Sequence, residues 1–90
     1  MIFLINVLIV DDEVSILNGL ERNVRWEEFG MDMVGTASNG QAALELIRRC
    51  EVNLLITDVC MPGMTGLELI EEARKIREGI HCVLISAYNE

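Results

Sequence analysis

Short uninterrupted runs of aliphatic residues constrain the fold of this chain more than any other feature. NVLIV with the preceding isoleucine spans residues 5–10, VNLLITD spans 52–58 and HCVLIS spans 81–86. Such continuous apolar runs are typical of strands that are covered by helices on both faces, as in parallel sheets. A further segment at residues 31–38, MDMVGTAS, alternates well enough to predict one more strand. We therefore expect a parallel sheet that is covered by helices on both faces.

The stretch after the first strand, DEVSILNGLERNVRW, changes to a helical period. Its apolar residues fall three or four apart and predict one buried stripe: Val14, Leu17, Leu20 and Val24. Asp12 is expected to cap this helix, and Glu13 complements the helix dipole. Gly30 predicts a break before the next strand.

Two more segments predict helices. Asn39 and Gly40 precede QAALELIRRC at residues 41–50, which is rich in good helix formers. CMPGMTG at residues 60–66 predicts a loop that is followed by a helix over residues 67–78. The apolar face of that last helix is expected to comprise Leu67, Ile70, Ala73 and Ile76.

The resulting order is β-α-β-α-β-α-β with short connections. This order predicts an α/β fold with right-handed crossovers and helices on both faces of a doubly wound parallel sheet. Ligand sites in such sheets lie beyond the carboxyl ends of the strands. The residues at those ends are therefore the candidates for function.

Composition limits the possible partners. The chain has 90 residues, of which 51% are hydrophobic, and this size and composition favour one folded domain. Its net charge of -8 is expected to repel nucleic acid and anionic membranes. No apolar segment approaches the roughly 20 residues that cross a bilayer, and the opening residues lack the basic leader of a signal peptide. The three cysteines are an odd number without close pairs in the sequence, which favours free thiols in a reducing cytoplasm.

Polar residues gather at the predicted carboxyl edge of the sheet. Asp11 and Asp12 follow the first strand, Asp58 ends the third and Ser86 ends the fourth. Carboxylates about 4 Å apart repel by roughly 4 kcal/mol at a dielectric of 20, so either a proton or a cation is expected between them. Oxygen ligands suit Mg²⁺ or Mn²⁺ better than zinc. A simple helix cap or turn former remains the alternative for each acid taken alone.

Three motifs then match a family. LIVDDE, LLITDVCMPGMTGLELI and VLISAYNE, in this order and spacing, resemble the receiver domain of two-component response regulators. The resemblance covers the whole chain and implies a flavodoxin-like sheet. The segment RWEEFGMDMVGTASNGQAALELI is similar to receivers that are joined to AraC-like DNA-binding regulators. The resemblance implies a non-enzymatic signalling domain that partners a sensor histidine kinase and helps to control transcription.

The resemblance also implies the roles of individual residues. Asp58 would accept a phosphoryl group from a phosphohistidine, with Mg²⁺ held by carboxylate oxygens of Asp12 and Asp58, by the backbone carbonyl of Cys60, and by Asp11 through a water. Ser86 would hydrogen-bond the transferred phosphoryl group. The neighbouring Ala87 would leave space for that group.

The chain departs from the family at its end. A full receiver has five strand-helix units, whereas residues 1–90 end after the fourth strand, without the fourth helix, fifth strand and fifth helix. The strand-five lysine that pairs with the phosphoryl group has no counterpart, because Lys75 belongs to the third predicted helix. The fourth strand would become an uncharged sheet edge, from which we expect self-association of the chain.

Two other functions stay open. Without the strand-five lysine, the chain could be an interaction module that is not phosphorylated. A Mg²⁺-dependent phosphohydrolase also places an Asp nucleophile at a strand end. That enzyme usually carries a second Asp two residues later, and Cys60 occupies this position here.

Overall fold

Four parallel strands form a single sheet in the computed structural model, which describes residues 4–86. The strands β1 to β4 are Ile5–Val10, Met31–Ala37, Leu54–Asp58 and His81–Ile85, and the helices α1 to α3 are Val14–Asn23, Gly40–Arg49 and Gly66–Ile76. Their order across the sheet is β2-β1-β3-β4. The predicted α/β fold, a doubly wound and flavodoxin-like parallel sheet, is confirmed.

Helices cover both faces of the sheet, as predicted. Val7 and Ile9 of β1 pack with Leu17 of α1 on one face. Leu8 and Val10 belong to the larger core cluster, which includes residues of α2 and α3, on the other face. All four of these β1 side chains are at most 2% exposed. Burial of each such side chain contributes about 1.5 to 3 kcal/mol, so β1 is the central element of the fold.

The first helix is shorter than the sequence pattern predicts. It ends at Asn23, and a 3₁₀ helix over Trp26–Phe29 follows. The indole N–H of Trp26 donates to the carbonyl of Leu20 at 3.1 Å, which folds the chain back against α1. Gly30 ends the 3₁₀ helix with a left-handed φ of 72°, so the predicted break is confirmed. This conformation suits glycine because it has no Cβ.

The predicted apolar stripe of α1 is only partly correct. Leu17 is buried, and Leu20 packs partly buried against the same cluster. Val14, in contrast, is 57% exposed, because it is the first residue of the helix and lies near the carboxyl edge of the sheet. Val24 lies outside the helix as its C-cap.

The third helix buries most of the predicted face but differs at its start. It begins at Gly66, where Thr65 and Glu68 form a capping box that fixes the phase of the first turn. In this phase Leu69 and Ala73 are fully buried, whereas Leu67 is 55% exposed. Ala73 of the predicted face is therefore buried, and Ile70 and Ile76 pack partly buried against the core, so the prediction is wrong only for Leu67. This helix is also the longest in residues 4–86, a region in which none is long and apolar enough to cross a membrane.

The strand β4 lies at one edge of the sheet in the described part of the chain, which confirms the predicted edge. Val83, Leu84 and Ile85 are 46%, 38% and 45% exposed. Val83 and Ile85 pair in register with Ile56 and Asp58, on the face that α1 covers only in part. An uncharged apolar edge is therefore accessible along residues 83–85.

An arginine joins the ends of α2 and α3. Arg77 is the C-cap of α3, and its side chain donates from Nε to the carbonyl of Ile47 at 3.1 Å and from Nη2 to the carbonyl of Cys50 at 2.6 Å. Both acceptors lie at the C-terminal end of α2, where backbone carbonyls lack partners within the helix. The guanidinium also complements the negative end of the α2 dipole.

We predict that Arg77→Ala lowers the free energy of unfolding by about 1 to 3 kcal/mol, because two carbonyls lose charged hydrogen-bond donors. Chemical denaturation measures the change. Arg48→Ala, an exposed arginine in the last turn of α2, is the matched control and is expected to cost less than about 0.5 kcal/mol. Equal effects of the two substitutions would contradict the role of Arg77.

A glycine brings the start of α3 against the end of β3. The backbone N–H of Gly66 donates to the carbonyl of Val59 at 2.9 Å. A Cβ at Gly66 would overlap the backbone carbonyl oxygen of Asp58 and would lie 2.9 Å from a methyl of Leu84. The absence of a side chain at Gly66 is therefore required for α3 to pack beside Asp58.

We predict that Gly66→Ala destabilises the protein by about 1 to 3 kcal/mol, as overpacking against a backbone group does. Gly79→Ala is the control, because a Cβ there meets nothing within 4 Å. Denaturation midpoints of the two variants provide the comparison. If Gly66→Ala is as stable as Gly79→Ala, the close packing at Gly66 does not constrain the β3 end.

Candidate metal centre

Strand pairing brings the acidic residues to one edge of the sheet. β1 and β3 are parallel neighbours, with Val10 in register with Thr57. The next residue of each strand segment is an aspartate, Asp11 after β1 and Asp58 as the last residue of β3. Parallel pairing thus forces these two carboxylates to the same carboxyl edge, with Asp12 following Asp11.

The three carboxylates form a tight cluster. One oxygen of Asp11, one of Asp12 and one of Asp58 all lie within 4.8 Å of one another. Asp11 and Asp58 are half-buried, and Asp12 is exposed. Pairs of charges near this separation repel by roughly 1 kcal/mol in water and by about 4 kcal/mol at a dielectric of 20. Repulsion between the ionised carboxylates therefore destabilises the folded protein, and a bound cation would offset this repulsion.

Asp11 is fixed by hydrogen bonds on both sides. Its backbone N–H donates to the carbonyl of Ala37 at 3.1 Å, and its carboxylate accepts from the backbone N–H of Glu13 at 2.9 Å. The expected cap by Asp12 is wrong: the N-cap of α1 is Glu13, and no side chain caps this helix. Asp12 is consequently not engaged in capping, and its carboxylate belongs to the acidic cluster.

The surroundings of Asp11 favour its protonated form. Burial is the largest cause that raises the pKa of the Asp11 carboxyl above its usual value of 3.8, and the nearby charges of Asp58 and Asp12 raise it further. The N–H of Glu13 acts in the opposite direction, because it donates to the ionised carboxylate. The net shift is upward, which is the response expected of a carboxyl that is partly buried and lies beside other acids.

Hydrogen bonds hold the backbone around Asp58 in place. The hydroxyl of Thr57, which is fully buried, donates to the carbonyl of Asp58 at 3.1 Å. The next residue, Val59, donates its N–H to the carbonyl of Ile85 at 3.1 Å and accepts from Gly66. The end of β3 is thereby joined to both β4 and α3, so that Asp58 has little freedom to move away from the other acids.

Ser86 and Cys60 occupy different positions around the cluster. Ser86 follows Ile85, which is in register with Asp58, so Ser86 lies at the same carboxyl edge and is exposed. Cys60 is exposed two residues after Asp58, and within residues 4–86 its sulfur does not belong to the acidic cluster. The cluster thus offers oxygen ligands only. Ala87 lies outside the described residues.

Sequence reasoning missed the residues that support the site. The sequence pattern places Thr57 in a strand and Gly66 in a loop. Gly66 in fact begins α3, and it must lack a side chain. Met61 of this loop is 6% exposed, and Met64 packs against the larger core. A Cβ at Gly40 would lie only 2.5 Å from the sulfur of Met64, so the β3–α3 loop also packs closely on α2.

Comparison with known proteins identifies the family of this chain. The family model of the response regulator receiver domain matches residues 7–90. The uncharacterized transcriptional regulatory protein YesN of Bacillus subtilis is 38% identical over 84 residues, which is 93% of this chain and 23% of YesN. The chain therefore spans less than a quarter of that relative.

Solved structures share the fold over nearly the whole chain. The REC domain of AraT, a response regulator from Geobacillus stearothermophilus, is 40% identical with a TM-score of 0.83, over 96% of this chain and 65% of that one. A two-component transcriptional regulator AraC from Clostridium phytofermentans is 33% identical with a TM-score of 0.85, over 94% of this chain and 68% of that one. These neighbours fit the AraC-like resemblance. The chain belongs to the response regulator receiver domain family of two-component systems.

Proposed function

We propose that this chain is a phosphoacceptor module in which Asp58 receives a phosphoryl group from a phosphohistidine of a sensor histidine kinase. The observation that carries the proposal is the position of Asp58 within 4.8 Å of two further carboxylates at the carboxyl edge of the sheet. Membership of the receiver family supports the same assignment.

The proposed transfer is a nucleophilic displacement at phosphorus. A carboxylate oxygen of Asp58 forms the new P–O bond while the P–N bond to the histidine breaks. The electron pair of that bond remains on the histidine nitrogen, and the product is an aspartyl phosphate. The chain acts once as acceptor in this scheme, so it is a signalling domain rather than an enzyme that turns over a substrate.

The donor atoms of the cluster fit a hard divalent cation. Clustered carboxylate oxygens, without sulfur or imidazole, are typical ligands of Mg²⁺ or Mn²⁺. In our proposal Asp12 and Asp58 bind the ion directly, the carbonyl of Cys60 is a third ligand and Asp11 acts through a water. The ion supplies positive charge that stabilises the oxygens of the transferring phosphoryl group.

Ser86 is proposed to hydrogen-bond the phosphoryl group after transfer. Its place directly after Ile85, which is in register with Asp58, supports this role. Val59 also links the two strand ends through its hydrogen bond to Ile85. A change at Asp58 could thereby be transmitted to the end of β4.

In a full-length protein we propose that this module controls transcription from the cytoplasm. The relatives are named transcriptional regulators, and the chain matches only part of them. Direct binding of nucleic acid by this chain is not part of the proposal, because its net charge is -8.

An interaction module that is not phosphorylated is the second candidate. The one lysine of the chain, Lys75, lies in α3 and forms an ion pair with Glu72 at 2.9 Å. This lysine is therefore engaged on the helix surface and does not take the place of the cation that receivers carry on strand five. A phosphohydrolase ranks lower, because Cys60 stands where that enzyme class carries its second Asp.

We also propose that the 90-residue chain self-associates through the edge strand β4. The exposed apolar residues Val83, Leu84 and Ile85 carry no charge, and an unprotected strand edge is a template for pairing with another chain. Association would bury this apolar edge. The occupant of the edge in this proposal is a second copy of the same chain.

The phosphoacceptor proposal is tested with acetyl phosphate and Mg²⁺. We predict a mass increase of one phosphoryl group in the wild type and none in Asp58→Asn, because the nucleophilic oxygen is lost. Mass spectrometry at neutral pH detects the adduct and its position. Asp32→Asn, an exposed acid at the other end of the sheet, is the control that keeps the adduct.

Each result of this experiment favours one function. No adduct on a folded wild type would favour the interaction module, and sustained release of phosphate from acetyl phosphate would favour the phosphohydrolase. Loss of the adduct in both Asp variants would contradict the assignment to Asp58.

The raised pKa of Asp11 predicts how stability depends on pH. A carboxyl whose folded-state pKa is raised contributes stability below its unfolded value, and this contribution is lost as pH rises through the folded value. Ionised Asp11 therefore destabilises the metal-free protein at neutral pH. We predict that Asp11→Asn raises the denaturation midpoint in EDTA at neutral pH and that the gain disappears below pH 3.8.

The Asn side chain keeps an oxygen that can accept from Glu13, so the local hydrogen bond is preserved in this variant. Urea denaturation over a series of pH values measures the difference from the wild type. A gain that stays constant over the whole pH range would show that ionisation of Asp11 is not its cause.

Self-association is tested with Val83→Glu. We predict that the wild-type chain forms dimers or larger species as its concentration rises, and that the new charge on β4 shifts this equilibrium at least about tenfold towards monomer, which corresponds to 1.4 kcal/mol. Val14→Glu, which replaces an exposed valine on α1, is the control. Light scattering that reports a monomer at all concentrations would contradict the proposal.

A further inference from the structure

A groove of about 450 Å³ lies at the other end of the sheet, between the end of α1, the 3₁₀ helix and the start of β2. Trp26, Met31 and Met33 line it, and all three also pack against the core on the α1 face. The indole N–H of Trp26 is held by the carbonyl of Leu20. The groove therefore has an apolar floor whose aromatic ring is fixed in place.

The border of this groove is acidic. Glu21, Glu27, Glu28 and Asp32 line it and are exposed. The single basic residue in the lining, Arg25, is 3.3 Å from Glu28 and offsets one of these charges. The remaining charge is negative, and it lies around an apolar surface. A ligand of opposite charge with apolar side chains complements both properties.

The groove also adjoins a free strand edge. β2 pairs only with β1 among the described strands, so its second side presents unpaired backbone groups. The pairing of β2 with β1 shifts register between Val7 and Leu8, just after Met33. Residues 31–33 therefore form a regular stretch of β2 beside the groove. Asp32 lies within this stretch and disfavours pairing of two copies, because it would bring like charges together.

We propose that this groove docks an extended basic segment of a partner protein, which pairs with the β2 edge and carries, at every second position, apolar residues and Arg or Lys that all face the α1 side of the sheet. Backbone hydrogen bonds to an exposed edge supply affinity, and the side chains supply selectivity. The apolar residues contact Trp26 and Met33, and the basic residues face Glu21 and Glu27. The proposal is independent of phosphotransfer at Asp58.

Fluorescence provides a direct test, because Trp26 is the only tryptophan of the chain. The probe is the arginine–valine peptide, a short synthetic peptide that repeats the pattern Arg-Thr-Val-Thr, so that arginine and valine lie on the same face of the strand. It is titrated into the full 90-residue chain without any phosphoryl donor. We expect a saturable change in Trp26 emission and a Kd at least fivefold higher when NaCl is raised from low to high concentration. A matched peptide that repeats the pattern Glu-Thr-Val-Thr is expected to give no change.

Charge-neutral variants separate the groove from the general acidity of the protein. Glu21→Gln with Glu27→Gln is expected to raise the Kd for the arginine–valine peptide at least fivefold. Glu71→Gln with Glu78→Gln removes the same charge from exposed positions in and just after α3, and should change the Kd less than twofold. Circular dichroism confirms that both variants are folded. Equal effects of the two pairs would overturn the proposal.

Two further results would also overturn it. The same peptide methylated on its backbone nitrogens keeps its charges but cannot donate to the strand edge, so equally tight binding would contradict edge pairing. A change of Trp26 emission with chain concentration alone, in the absence of peptide, would show that a second copy occupies the groove.

Discussion

The parallel pairing of β1 with β3 is the constraint on which the rest of the structure depends. Both strands are held by apolar burial, and their register sets Val10 beside Thr57. The sheet therefore cannot form without bringing Asp11 and Asp58 to the same edge. The free energy of core burial is large compared with the repulsion between a few exposed or half-buried carboxylates. The fold thus maintains a cluster of charges that the isolated groups would avoid.

The elements around this edge restrict how the cluster can relax. Gly66 lets α3 pack directly on the backbone of Asp58, and Val59 ties the same strand end to β4. Asp11 is held through its own amide and through Glu13. The acids therefore relieve their repulsion by proton or cation binding more readily than by moving apart. A transferred phosphoryl group would enter a site with fixed geometry. Catalysis by proximity and orientation requires such a geometry.

The sequence predicts the strands and the gathering of Asp11, Asp12 and Asp58 at one edge of the sheet, for a physical reason. Buried parallel strands are continuous apolar runs, and the polar residues that end them mark one edge of the sheet. The helix details depend on contacts that have no local pattern. The hydrogen bond from Trp26 to Leu20 accompanies the early end of α1, and the capping box at Thr65 selects Leu69 over Leu67 for burial. Arg77 reaches α2 across 30 residues, which periodicity does not reveal.

The two ends of the molecule have different chemistry. The carboxyl edge of the sheet gathers oxygen ligands on a rigid base, whereas the opposite end combines an apolar groove with acidic side chains and a free strand edge. A partner at the second site would leave the first accessible. Signalling chemistry and protein docking are thus compatible on one small sheet.

Stabilisation by Mg²⁺ tests the central claim most directly, namely that the sheet holds a carboxylate cluster whose repulsion a divalent cation relieves. The wild-type chain is unfolded with urea in EDTA and in increasing MgCl₂. We predict a rise in the free energy of unfolding that reaches about 2.7 kcal/mol at a hundredfold excess over Kd. Asp12→Asn should lose most of this gain, whereas Glu13→Gln should keep it. No gain in the wild type, or an equal gain in Asp12→Asn, would contradict the account.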